Sequence, residues 1–161
     1  MKGIENSAYL ILLLISNLLA LGILAAAWKS ARLGRLLFFL LFLWAGITNW
    51  LTALHNPNTY LGEADLVEIG VYRQFILGWF SRHILLMVGF IASCQLLIAF
   101  SMLGKGWIVK WGGIAAILFL LAIVPFGVGS GFPSTLIAAL AMYLLIRQPY
   151  KDYIWKKQSD E

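Results

Sequence analysis

An all-α, polytopic transmembrane helix bundle is the fold class this sequence predicts, and three observations predict it. Of the 161 residues, 61% are hydrophobic and only 12% are charged, about half the charged share of an ordinary soluble domain. Apolar runs recur at close to the ~20 residues that a helix needs to cross ~30 Å of hydrocarbon. Basic residues cluster in alternate links between those runs. A soluble fold of this size could not hide so much apolar surface, so lipid must solvate much of it. The length allows one compact domain.

The first span runs over 7–28. Lys2 and Glu5 precede it, it is longer than a signal-peptide core, and no clear cleavage site stands before Lys29, so it reads as a retained helix. The second span covers 33–54 and the third 82–103, each bounded by polar residues or glycine. The stretch from Trp107 to Ile146 would measure about 60 Å as one straight helix, twice the hydrocarbon thickness. It must turn, and Pro125, Gly127, Gly129, Gly131 and Pro133 crowd its middle, where glycine frees the backbone and proline removes donors. It divides into spans 107–126 and 132–146. The last is short enough to call for thinned lipid or cover by its neighbours. Gly22/Ala26, Gly89/Ser93, Gly112/Ala116 and Gly131/Thr135 are small-residue pairs that permit close helix approach.

Charge placement tests the count. Lys29, Arg32 and Arg35 follow the first span, Lys105 and Lys110 the third, and Arg147, Lys151, Lys156 and Lys157 lie in the tail 147–161. Five spans put all three groups on one side. The positive-inside rule then predicts an integral protein of a bacterial cytoplasmic (inner) membrane, with its N-terminus outside and C-terminus in the cytoplasm. Four spans would strand the basic tail on the wrong side. Trp28, Trp44, Trp79, Trp107, Trp111, Tyr143, Tyr150, Tyr153 and Trp155 fall mostly near span ends, the pattern of an aromatic belt.

The segment 56–81 is the one long piece outside the spans. Asn56-Pro57-Asn58 signals a turn. Leu66, Ile69, Tyr72, Ile76 and Trp79 then recur near helical spacing, which predicts an amphipathic helix on the outer surface or folded into the mouth of the bundle.

Candidate site residues concentrate on that side. Thr48, Asn49, Thr52, His55 and Asn56 fall within an arc of about 120° on the second helix. They read either as interhelical hydrogen-bonding groups or as one wall of an outward-opening pocket. Arg82 and His83 open the third helix, able to snorkel to the interface or to donate to an anionic or quinone-like head. Gln95, near mid-membrane, is costly to bury without partners, so it is either interhelical glue or a ligand contact. His55, His83, Asp65, Glu68 and Glu63 share the outer side and form the weak metal candidates, although no HxxxH or HExxH spacing is present. Haem ligation would need both histidines. The single cysteine, Cys94, excludes an internal disulfide and any CxxC motif. No Walker loop, Rossmann glycine pattern or nucleophile elbow occurs. The spans hold no acidic residue, which argues against a proton pump or ion-coupled transporter. The net charge of +5 is accounted for by topology and anionic lipid, with no nucleic acid implied.

From about Arg35 onward, Arg35-Leu36-Leu37-Phe38-Phe39 running into Trp44-Ala45-Gly46-Ile47, then an outer loop, then Ala92-Ser93-Cys94-Gln95-Leu96-Leu97 and a closing pair of spans resembles the DoxX-like family of small bacterial membrane proteins. The resemblance covers 35–147 and implies a four-helix unit, with 7–28 as an added N-terminal helix. Some members of that family are linked to quinone-coupled sulfur oxidation or to membrane redox complexes. Gln95 stands where such proteins often carry glutamate, and an amide cannot exchange a proton as a carboxylate can.

Three functional expectations follow. The leading one is a non-catalytic accessory subunit or binding module of a membrane complex, partnered by the bilayer and by other membrane subunits or further copies of itself. The second is a quinone- or lipid-binding subunit of a redox system, its pocket between Asn49, His55, Arg82, His83 and Gln95. The third is a small-solute transporter.

Overall fold

Ser30 separates the first two apolar runs. Its backbone is extended and its hydroxyl accepts the Leu33 N–H at 3.3 Å, so one helix ends and a capped second begins. The computed structural model describes residues 7–67, 69–148 and 153–155. Helix α1 is Ser7–Lys29 and α2 is Ala31–His55. Asn56 closes α2 by donating its N–H to the Thr52 carbonyl at 2.8 Å, and Pro57 cannot continue it.

The segment that follows is broken rather than one amphipathic helix. A 3-10 turn at Pro57–Gly62 leads into α3 (Glu63–Leu66), α4 (Gly70–Phe75) and a π-helical turn at Ile76–Phe80. Gly62, Gly70 and Gly78 interrupt the helical periodicity, and each glycine weakens a helix interior. Helix α5 spans Ile84–Ser101, α6 Trp107–Ala122 and α7 Ser134–Ile146, with a 3-10 link at Val124–Ser130 between the last two. Positive φ at Gly127 (60°) and Gly131 (74°) turns that link, a conformation that glycine adopts without penalty. Helix α6 therefore stops short of the 107–126 expected for it.

The described residues contain no strand. Three helices, α1, α2 and α5, are long and apolar enough to cross a membrane, and α6 and α7 are shorter apolar helices. Leu18, Leu86, Phe90, Leu97 and Leu118 are 64–72% exposed, as side chains facing hydrocarbon would be.

Successive long helices run antiparallel and pack in a ring, in the order α1, α2, α5, α6, α7 and back to α1. One end of the ring, here the base, holds Ser30, the turn 102–106 and the end of α7. The other, the mouth, holds 56–83 and 123–133. Lipid is as apolar as any core, so packing and polar bonds must hold such a bundle together. At the base they do. Phe38, Met102, Val109, Met142 and Leu145 are fully buried in one cluster. A side chain at Gly34 would lie 2.8 Å from the Ala27 Cα and 2.9 Å from Leu145. The buried Arg35 donates from Nε to the Met102 carbonyl at 2.8 Å and from Nη2 to the Gly104 carbonyl. It thereby ties α2 to the end of α5, where helix carbonyls lack partners.

The mouth is closed differently. Ala64, Val67 and Ile76 pack with Tyr72, Phe80 and Phe126, and the Tyr72 and Phe126 rings meet edge to face at 5.8 Å. The segment after α2 is thus folded over the mouth and seated on the α6–α7 link.

Candidate functional site

Helices α2 and α5 approach closely because each offers a glycine to the other. A Cβ at Gly46 would lie 2.8 Å from the Leu96 side chain, and one at Gly89 2.9 Å from the Trp50 ring. Asn49 is next to Trp50 and Gln95 next to Leu96, the two side chains at these contacts. The proximity puts Asn49 Nδ2 2.8 Å from Gln95 Oε1. Tyr60, carried by the 3-10 turn, donates its hydroxyl to Asn49 Oδ1 at 2.9 Å and lies 3.3 Å from the Asn49 carbonyl oxygen. A short relay results, Tyr60 to Asn49 to Gln95, running from the cap to the middle of the bundle. Gln95 is only 3% exposed. Its Nε2 makes no hydrogen bond to any described residue, so the relay ends on an amide with two N–H donors unspent.

That end lines a cavity of about 620 Å³, within the size range of small-molecule sites. All five long helices contribute to its wall, and Tyr60, Phe80 and Phe126 help to close it at the mouth. The lining is mostly aliphatic and aromatic. Its polar members are Asn49, Tyr60 and Gln95 on one side and Ser16, Ser130, Ser134 and Thr135 on the α1 and α7 side. Among the described residues, none in the lining is charged, and none is a histidine or cysteine. Such a wall can bind and orient a neutral guest by hydrogen bonds to its oxygens. Among the described residues it offers no carboxylate, imidazole, thiol or amine for proton transfer or nucleophilic attack.

Among the residues singled out from sequence, Asn49 and Gln95 meet in this cavity and the others lie elsewhere. Thr48 is exposed and Thr52 half-buried, neither of them in the lining. His55 is exposed, its Nδ1 2.9 Å from the Leu51 carbonyl. The face carrying Leu41, Phe42, Ala45 and Asn49 is the one turned inward, and the expected 120° arc is wider than this face. Arg82 and His83 are exposed. The break before α5, where His83 has φ −130°, turns them away from the cavity. The His83 ring stacks on Trp79 with centroids 4.4 Å apart, and its Nδ1 lies 2.9 Å from the Trp79 carbonyl. Asp65 forms an exposed ion pair with Arg73 at 3.5 Å. Glu68 lies outside the described residues. Among those described, no three His, Cys, Asp or Glu side chains come together.

Tyr60, Ser134 and Thr135 were not readable as site residues. Tyr60 stands in a turn, and Thr135 shows in sequence only as the partner of Gly131 in a small-residue pair. A run of hydroxyl residues just after a Gly/Pro turn and at a helix start is the one signal that marks Ser134 and Thr135. No protein-family model, curated protein or solved structure matches the chain.

Proposed function

We propose that this protein is a membrane-embedded binding module, an accessory component that holds a neutral, lipid-soluble molecule rather than transforming it. The single observation that carries this reading is the cavity of about 620 Å³ into which the Tyr60–Asn49–Gln95 relay brings the Gln95 amide, its Oε1 taken by Asn49 and its Nε2 left to donate to a guest. A quinone or a lipid is the class of guest that the apolar, aromatic, uncharged wall favours, because a charged head would lose its hydration with no counter-charge to meet it.

The membrane setting belongs to the same proposal. Helices α6 and α7 complete a five-span bundle in a bacterial inner membrane, N-terminus outside, with the base in the cytoplasm. Supporting this are the alternate basic links and the up-and-down ring. The four-helix unit of the DoxX-like resemblance corresponds to α2, α5, α6 and α7, with α1 added against α7. Single cysteines placed at 3 and 158 in a Cys94→Ala background test the topology. An impermeant maleimide added to intact cells should label the first and spare the second; the reverse pattern would sink the orientation.

For the binding role, the protein purified in mild detergent should retain a neutral lipid or quinone that organic extraction releases, and Gln95→Leu should release it earlier. Empty wild-type protein that takes up neither class would defeat the reading.

A further inference from the structure

We propose that the cavity opens sideways into the bilayer, between the mouth halves of α1 and α2, and that the guest enters and leaves through this portal rather than from water. This rests on the binding reading above and extends it to the route and shape of the guest. A side chain that both lines a cavity and is open to the surroundings stands at the cavity's opening. On α1 these side chains are Leu12, Ile15 and Leu19, and on α2 it is Trp44; Leu12, Leu19 and Trp44 are 60–67% exposed. Among the described residues the one other is Phe75, in α4. No described lining residue of α5, α6 or α7 is exposed.

The gap has a cause in the packing. At the base α1 and α2 meet where Ala27 lies against Gly34. Toward the mouth each is drawn to a different neighbour. Helix α1 lies against the start of α7, where a Cβ at Gly131 would be 3.1 Å from Ser16 Oγ. Helix α2 is held to α5 by the close approaches at Gly46 and Gly89 and by the Asn49–Gln95 bond. Small residues permit both approaches, and α1 and α2 part between them.

The opening is apolar on both sides and lies along helices long enough to cross a membrane, so it meets lipid tails. Trp44 stands near the middle of α2 (Ala31–His55), away from the headgroup level at which tryptophan anchors a helix. A belt role therefore does not account for it, whereas a place at the edge of the portal does. The water side is shut. Tyr60, Phe80 and Phe126 line the cavity there, and the Tyr60 and Phe80 rings meet edge to face at 6.5 Å. A molecule with a neutral head and a long apolar tail can thus bring its head to Gln95 without leaving hydrocarbon, its tail remaining in the opening.

The test is exchange of a bound probe, with tritiated decyl benzoquinone and tritiated dioctanoylglycerol standing for the two sources of such a molecule. Full-length protein in a Cys94→Ala background, carrying Leu19→Cys, Phe90→Cys or Thr59→Cys, is loaded in detergent, modified with pyrenyl maleimide, and chased with unlabelled probe. Position 19 lies in the portal, 90 on an exposed face of α5 outside the lining, and 59 in the turn at the mouth. The adduct at 19 should slow release by about tenfold or more, as a blocked exit does. The adducts at 59 and 90 should leave release unchanged, and all three proteins should melt alike, since each side chain is exposed. Release that the adduct at 19 does not slow, or that an adduct at 59 or 90 slows as much, overturns the portal and leaves the binding reading standing. If the unmodified protein binds neither probe, the binding reading falls and the portal with it.

Discussion

At the base of the ring, Phe38, Met102, Met142 and Leu145 fill the space between helices completely. At the mouth the same five helices stand around about 620 Å³ of unfilled volume. The composition of the two ends hardly differs, since both are aliphatic and aromatic. What differs is how polar groups are spent. Among the described residues the base has one buried polar anchor, Arg35, and it reaches main-chain carbonyls that would otherwise lack donors. The mouth has a relay whose bonding stops partway, at Gln95. A buried polar group with its bonds made strengthens a bundle; one left waiting costs stability unless a guest completes it. On the proposed binding role, base and mouth divide the work: the base holds the helices together and the mouth receives the guest.

Removing Arg35 should break that contrast most severely. Arg35→Ala orphans two carbonyls at the base, and hydrogen bonds to a charged group are worth about 1.5–3 kcal/mol each. A loss of about 3 kcal/mol or more is expected in thermal unfolding in detergent. Arg35→Lys should recover only part, since an ammonium lacks the planar fork. Next in size is a matched pair of enlargements. Ala141, fully buried at the base, has no room, so Ala141→Leu should cost about 1–3 kcal/mol. Ala45 lines the cavity, so Ala45→Leu should change stability by less than about 0.5 kcal/mol while lowering retention of the guest. Equal losses from both would erase the distinction between a packed base and a hollow mouth.

The seam between α2 and α5 links the two ends. Gly46→Ala brings a Cβ to 2.8 Å from Leu96 and 3.0 Å from the Ala92 carbonyl, and should cost about 1 kcal/mol by overpacking. The relay itself should be nearly neutral when both amides are removed together. Either Asn49→Leu or Gln95→Leu alone strands a partner, whereas the double variant removes both and should fall within about 1 kcal/mol of wild type. A double-mutant cycle by chemical or thermal unfolding measures this coupling. A double variant as unstable as the worse single one would mean that the amides serve the fold rather than a guest.

The sequence by itself determined the helical class and the positions of the long helices, because the length of an apolar run and its bounding polar residues are local properties. It marked a break between 28 and 33, the turn near Pro125–Pro133 and Asn49 and Gln95 as candidates, since an amide deep in an apolar helix is conspicuous wherever it points. The tertiary structure decided which residues share a site. Thr48, Thr52 and His55 are neighbours of Asn49 on the helix wheel, yet only Asn49 lies on the face that α5 and the ring enclose. Arg82 and His83 are near Gln95 in sequence, but a break before α5 rotates them outward. Tyr60 and Thr135 reach the cavity from a turn and from another helix, across distances in sequence that no periodicity spans. The cavity itself could be seen in no run of residues: unfilled volume is a property of how five helices fail to meet, and it exists only once they are assembled.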